Sequence, residues 1–265
     1  MSPAHAVVLM YHRLDRAGAP PEEGDFVLPA PLFVQQMEWL VGSGRPVVSL
    51  SQLASGGFED GSVVLSFDDG CDTDATVALP RLLEAGFPAA FFVNPATVGQ
   101  HGRLGWPQVE GLAAAGMRIG SHGLDHTLLD GLPPGEVERQ LAESRRVLEA
   151  RLGAEVDALS LPGGTGGRAA VETARRVGYR IVLGSRPGRV ARGRLPLPVP
   201  RHAVRRRHGL EGFQAAVEQR LGFRLGQAAR YQTLQILRVT IGSGAYVRWA
   251  RARAILGGRG DGGRA

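Results

Sequence analysis

The sequence predicts an α/β fold built on a parallel sheet, with enough βα units for that sheet to close into a barrel. Three observations carry this. Short apolar strands alternate with helical periodicity from Ala6 to Leu183, and Gly- or Pro-marked turns separate most of them. The polar residues best suited to chemistry fall just after the strands, where both open parallel sheets and barrels place their sites. The chain has 265 residues and is 43% hydrophobic, sufficient for one large domain.

The elements follow in order. Ala6–Met10 reads as a short buried strand, and the Gly/Pro-rich stretch Asp15–Pro31 as a long loop of the kind that borders sites. Phe33, Met37 and Leu40 recur at helical spacing within Pro31–Val41, before strands over Pro46–Leu50 and Ser62–Phe67. Helix Thr73–Ala85, strand Ala89–Val93, helix Trp106–Ala115 and strand Arg118–Ser121 continue the repeat. Pro134–Leu152 carries Val137, Leu141 and Leu148 on one face and stops at Gly153. Strand Ala158–Leu161, helix Ala169–Val177 and strand Arg180–Leu183 complete it, and weaker helices are expected over Leu210–Leu221 and Gln227–Ile241.

Charge divides the chain. Residues 1–185 carry 14 Arg against 22 acids, whereas residues 186–265 carry 17 Arg against 3, with no lysine anywhere. A basic C-terminal third fits an anionic lipid surface or a phosphate-bearing sugar, at roughly 1 kcal/mol per arginine near a membrane; a solvated basic face is the alternative. No aromatic-interleaved basic motif points to nucleic acid. The single cysteine, Cys71, excludes an internal disulfide. The N-terminus shows no basic region followed by a long apolar run, so a cytoplasmic protein, peripheral at the inner membrane face, is expected.

Two segments carry chemistry. Val63–Phe67 is an apolar strand that runs into Asp68-Asp69-Gly70. Adjacent carboxylates repel, and a bound cation is the usual way to keep both ionised. A solvated Asp-Asp-Gly turn is the alternative, and on this segment alone the commoner one. Strand Arg118–Ser121 runs into His122-Gly123-Leu124-Asp125-His126. On a helical turn, histidines four residues apart share a face, and with one carboxylate they make a three-ligand site with an open position for water. The pair is weak evidence by itself.

Together the two motifs, with Trp106-Pro107, Met117–His122 and Ser144–Leu152, resemble the polysaccharide deacetylase family, also called the NodB homology domain or carbohydrate esterase family 4, over about Val7 to Val204. The resemblance implies a distorted (β/α) barrel in which Asp68 is the general base and Asp69, His122 and His126 bind a divalent metal, Zn2+ above all. It implies removal of an N-acetyl group from an amino sugar, with Pro162 and Gly163 in the loop that supplies an oxyanion N–H. That loop departs from the family: Ser160 stands where many members carry Arg, leaving Asp68 without its usual orienting partner, and Gly163 stands where they carry an aromatic. For the general acid there are two candidates, His12 and His202. Leu9-Met10-Tyr11-His12 resembles the subgroup whose acid comes from the first strand, and His12 is preferred.

Other residues have plainer readings. Asn94 is expected to cap a turn, with a pocket-facing place at the strand end as the alternative, Asp125 to orient a histidine or sit in a solvated loop, Cys71 to be small and half-buried, His101 to lie on the surface, and Trp106 to be core or pocket wall. The expected organisation is a catalytic domain over 1–210, a basic helical extension over 211–256 and a disordered tail over 257–265. The substrate expected is an N-acetylated sugar in a glycan or precursor, nucleotide- or lipid-linked. The alternatives are hydrolysis of another amide, such as a formamide, and a non-catalytic glycan- or membrane-binding protein on the same scaffold.

Overall fold

The computed structural model describes residues 3–15, 24–193 and 195–241, with side chains through 236. β1 (His5–Tyr11) is buried beyond its first residue, as a strand covered on both faces must be. Arg13–Leu14 (β2) and Val27–Leu28 (β3) pair in parallel, so the expected long loop carries a strand of its own. α1 (Ala30–Ser43) covers the sheet and ends at Gly44, whose φ of 65° suits glycine. The expected strand over Pro46–Leu50 shrinks to one bridge between Val47 and Val63. Ser49 and Gln52 form a reciprocal capping box that starts α2 (Leu50–Ser55) instead.

The next elements match the sequence reading closely: β4 (Ser62–Phe67), β5 (Ala89–Val93), β6 (Arg118–Ser121) and β7 (Ala158–Ser160), with α3 (Leu79–Ala85), α4 (Trp106–Ala114), α5 (Pro134–Leu152) and α6 (Gly167–Val177) around them. One helix is altered. Residues 74–78 form a π-helical turn ahead of α3, where Leu79 N donates to Asp74 O and Pro80 has no N–H to continue an ordinary ladder.

β8 (Ile181–Leu183) ends the sheet on one side, and β10 (His202–Ala203) ends it on the other, in the order β10-β1-β4-β5-β6-β7-β8, all parallel. β9 (Val190–Ala191) pairs antiparallel with β1. The two edges approach one another: Val199 bridges Leu183 of β8, and three residues later His202 pairs with Leu9 of β1. The segment from Val199 to Ala203 is thus the seam that draws the curled sheet into its barrel.

Strand alternation sorts the core into two clusters. Val7, Leu9, Tyr11, Val63, Leu65, Phe67 and Phe91 face the helices, with Phe67 stacked 4.9 Å from Tyr11 and 4.7 Å from Phe91. Ala6, Val8, Val64, Phe92, Ala158, Leu183 and Val199 form the inner cluster, onto which Leu50, Leu53 and Phe58 pack. Gly120 is required here, because a Cβ would stand 2.5 Å from the Phe92 ring.

α7 (Gly209–Val217) places Phe213, Ala216 and Val217 in the outer cluster, with Phe213 edge-on to Trp39. The packed body therefore continues past residue 210. α8 (Leu221–Ile241) follows and exposes Leu221, Leu225 and Ile236. Among the described residues no helix is long and apolar enough to cross a membrane. The expected tail over 257–265 lies outside the described residues.

Candidate active site

The same alternation that fills the lumen with aliphatic side chains aims a polar set at its mouth. Residues in phase with Val64, Phe92, Gly120 and Ala158 include Ser66, Asp68, Asn94, His122 and Ser160, all buried. Asp69 breaks from the strand with φ of 78°, a conformation that costs a non-glycine residue about 1–3 kcal/mol and turns its carboxylate toward the histidines.

Asp69, His122 and His126 offer ligand atoms that lie within 4.8 Å of one another. Asp69 Oδ1 is 3.4 Å from His122 Nε2 and 3.3 Å from His126 Nε2, and this buried oxygen makes no hydrogen bond. His122 Nδ1 is 2.8 Å from the Ser160 carbonyl, which fixes the proton there and leaves Nε2 with its lone pair toward Asp69. Two imidazoles, a carboxylate and an unsatisfied buried oxygen fit a divalent cation. Burial lowers the affinity of His122 for a proton, but Asp68 and Asp69 outweigh it and raise its pKa. The same field attracts any cation. Burial would raise Asp69, yet the attraction of the neighbouring His122 and His126 holds it well below the usual carboxylate range.

The histidine pair converges differently from the expected helical turn. Gly123 has φ of 75° and His126 φ of 67°, so a loop, not a helix, returns the second imidazole to the first. Asn94 holds that loop: its Nδ2 donates to the carbonyl of His122, and Ser144 of α5 donates to that of Gly123 at 3.0 Å. Gln140 accepts from Leu124 N at 3.2 Å. Asn94 makes no side-chain cap, which corrects the turn-capping expectation. Asp125 is exposed and accepts from Thr127 N at 2.9 Å, the solvated-loop role.

Asp68 has a partner that the sequence did not disclose. Arg201, fully buried at the seam, donates from Nη1 to Asp68 Oδ1 at 2.9 Å and from Nη2 to Oδ2 at 2.8 Å. Nη2 also reaches Ser160 Oγ at 2.8 Å, Nη1 reaches Ser66 Oγ at 3.2 Å, and Nε donates to Gly184 O at 2.8 Å. Ser160 Oγ in turn donates to Asp68 Oδ2 at 3.0 Å. Arg201 thus supplies the guanidinium that position 160 lacks, and Ser160 links it to Asp68 by hydrogen bonds. Burial pushes Asp68 up, while the charges of Arg201 and His122 bring it below its ordinary value. A guanidinium, rather than a cation shared with Asp69, keeps Asp68 ionised.

Neighbours in a strand face opposite ways, so Arg201 in the lumen puts His202 outside it. His202 Nε2 lies 3.1 Å from Gln219 Nε2, the ring packs toward Phe223, and burial lowers its pKa to about 4. It is directed away from Asp68. His12 is in phase with the lumen and lines a cavity of about 370 Å³ with Asp69. Its Nδ1 is buried without a hydrogen bond, and Phe26 packs on the ring at 4.5 Å. Desolvation lowers the His12 pKa, against the pull of Asp69 and Asp68.

The loop with Pro162 and Gly163 leans on the histidine loop: a Cβ on Gly123 would stand 3.1 Å from Pro162, and one on Gly163 2.7 Å from Leu128. Among the described hydrogen bonds none joins Gly163 to Asp69, His122 or His126. Cys71 is buried, with its thiol pushed up by burial. Trp106 packs against the core under Arg151, and exposed His101 lines the cavity of His12 and Asp69.

The polysaccharide deacetylase profile matches residues 55–182. YxkH of Bacillus subtilis (strain 168), assigned as a polysaccharide deacetylase, is 26% identical over 223 residues, which are 82% of this chain and 77% of that protein. The fold is shared with the Streptococcus pyogenes deacetylase PplD in complex with acetate, at a TM-score of 0.72 and 21% identity over 82% of this chain and 99% of that one. It is shared as well with a de-N-acetylase from Aggregatibacter actinomycetemcomitans, at a TM-score of 0.71 and 21% identity over 80% of this chain and 99% of that one. The curled parallel sheet, the polar set at its mouth and these matches agree: over residues 55–182 the chain matches the polysaccharide deacetylase family, and it shares the fold of deacetylases of that kind.

Proposed function

We propose that the protein is a metal-dependent hydrolase that removes the N-acetyl group from an acetamido sugar. The observation that carries this is the pairing of a buried, guanidinium-held carboxylate, Asp68, with the three-ligand group beside it. Asp69, His122 and His126 would hold the ion. When bound, a divalent cation such as Zn2+ polarises the amide carbonyl and acidifies water.

Asp68 then accepts a proton from the attacking water, and Arg201 and Ser160 hold its two oxygens so that one geometry is presented. His12 is the candidate that delivers a proton to the departing nitrogen, since it shares a cavity with Asp69 while His202 does not. Gly163 N–H remains the candidate donor to the oxyanion. A non-catalytic scaffold has no use for a buried base aligned this closely.

The basic C-terminal region supports a membrane-facing or phosphate-bearing substrate. Leu221, Leu225 and Ile236 of α8 are 66%, 61% and 68% exposed, and Arg220, Arg224 and Arg230 lie within or beside that helix. Binding to vesicles containing anionic lipid is expected, weakening as salt rises; equal binding to neutral vesicles would remove this part. We place the end of the catalytic unit after Phe223, in the first turn of α8, the last described residue packed against the core.

Metal analysis and acetate release test the main reading. Purified protein should carry about one divalent ion, release acetate from acetamido sugars, lose that activity to a chelator and regain it on adding Zn2+. Activity that a chelator leaves untouched, or formate but never acetate released across matched substrates, would contradict it.

A further inference from the structure

The cavity that contains His12 and Asp69 has a cationic wall that hydrolysis of an amide does not require. Arg103 lines it, half-buried, and its bonds are to neutral groups: Nη1 donates to the Asp69 carbonyl at 2.7 Å and lies 3.9 Å from Cys71 Sγ. No ion pair joins Arg103 to a carboxylate among the described residues, whereas most other half-buried arginines here have one, such as Arg118 with Asp157 and Arg205 with Asp25. Arg13 lines the same cavity, donating to Gly102 O at 2.9 Å and lying 3.4 Å from Asp72. The wall's own acid, Asp69, belongs to the ligand group. With a divalent ion held by Asp69, the cavity lining offers no other carboxylate, and Arg103 has no ion-pair partner among the described residues.

An arginine held in place by one N–H, with its remaining donors uncommitted, is suited to a phosphate. Its position says which phosphate. Arg103 is bonded to the main chain of a residue in the ligand group, so an anion on it sits beside the reacting amide. In a 2-acetamido sugar, the carbon bearing the amide has two ring neighbours, C3 and the anomeric carbon, and the anomeric oxygen is the one that a glycosyl phosphate esterifies. A phosphate ester on the anomeric oxygen therefore falls beside the acetamide, while one on the primary hydroxyl lies across the ring.

We propose that Arg103, supported by Arg13, forms an anion subsite that selects 2-acetamido sugars phosphorylated at the anomeric oxygen over neutral glycans. This deepens the deacetylase reading and rests on it. The shared chemistry is an anomeric phosphate or diphosphate; a nucleotide and a polyprenol are its two sources.

The test compares binding to the full-length, metal-loaded Asp68→Asn protein, so that it does not depend on turnover. N-acetylglucosamine 1-phosphate should bind about tenfold or more tightly than the methyl glycoside of N-acetylglucosamine and than N-acetylglucosamine 6-phosphate, the gain of one well-placed charge-assisted pair. Adding Arg103→Gln, which keeps an N–H for the Asp69 carbonyl, should bring that ratio to about one, and Arg13→Gln should reduce it less. Because the metal and the sugar are common to all arms, the ratio isolates the arginine. A uridine diphosphate sugar and a short polyprenyl phosphate sugar then identify the source by which binds more tightly. A ratio near one in the parent, a ratio unchanged by Arg103→Gln, or an equal gain from the 6-phosphate would overturn the proposal. Absence of acetate release by the native enzyme would instead sink the deacetylase reading, leaving the binding ratio to judge the subsite.

Discussion

The mouth of the barrel is held from two sides that are built in different ways. On one side, Asp69, His122 and His126 come from loops that follow β4 and β6, separated in the sheet only by β5, and each sits in a short motif with its glycine. On the other, one arginine crosses the closing seam and meets a carboxylate 133 positions away in sequence. The ligand side is local and tolerant, three neutralisable groups around a cavity. The seam side is buried, charged and fully hydrogen-bonded, and is therefore the side where a lost partner costs most.

Arg201→Ala breaks that contrast hardest. It leaves Asp68, Ser66, Ser160 and Gly184 O without their shared donor, and removal of one partner from a buried ion pair costs about 3–5 kcal/mol. Denaturant unfolding should show a loss of that size, and activity should fall with it. Arg201→Lys, which cannot bond both oxygens at once, should restore part of the stability and little of the rate. An alanine variant of parental stability would show that the seam does not depend on this pair.

A smaller effect is expected on the ligand side. Asn94→Ala frees the carbonyl of His122 from its donor and leaves that of Gly123 to Ser144 alone, a change of about 1–3 kcal/mol. Its signature should be weaker metal affinity, read by competition with a chromogenic chelator, with the fold retained. Unchanged metal affinity would mean that Ser144 and Gln140 hold the loop alone.

This asymmetry also explains what could be read from the chain. Strands over 62–67, 89–93 and 118–121 and the helix over 134–152 follow from apolar periodicity and a terminal glycine, so they and the motifs at their ends were legible. Arg201 was not. A lone Arg before His202 in a basic third of the chain looks like one more surface charge, and only the pairing of β10 with β1 turns it inward. The signal was present in one place: Ser160, where an arginine was expected, implied a charge supplied from elsewhere. Asn94 was misread for a similar reason, since its partner carbonyls lie 28 and 29 positions on. The helix over Leu50–Ser55 was missed although Ser49 and Gln52 spell its cap, because Val47 and Val48 suggested a strand.

The most direct measurement compares acetate release by metal-loaded native protein and by Asp68→Asn at matched metal occupancy. The account predicts a fall of about 10²–10⁴-fold in kcat, the range of a general base, with metal affinity nearly unchanged because Asp68 is not in the ligand set. Full activity in Asp68→Asn would contradict it.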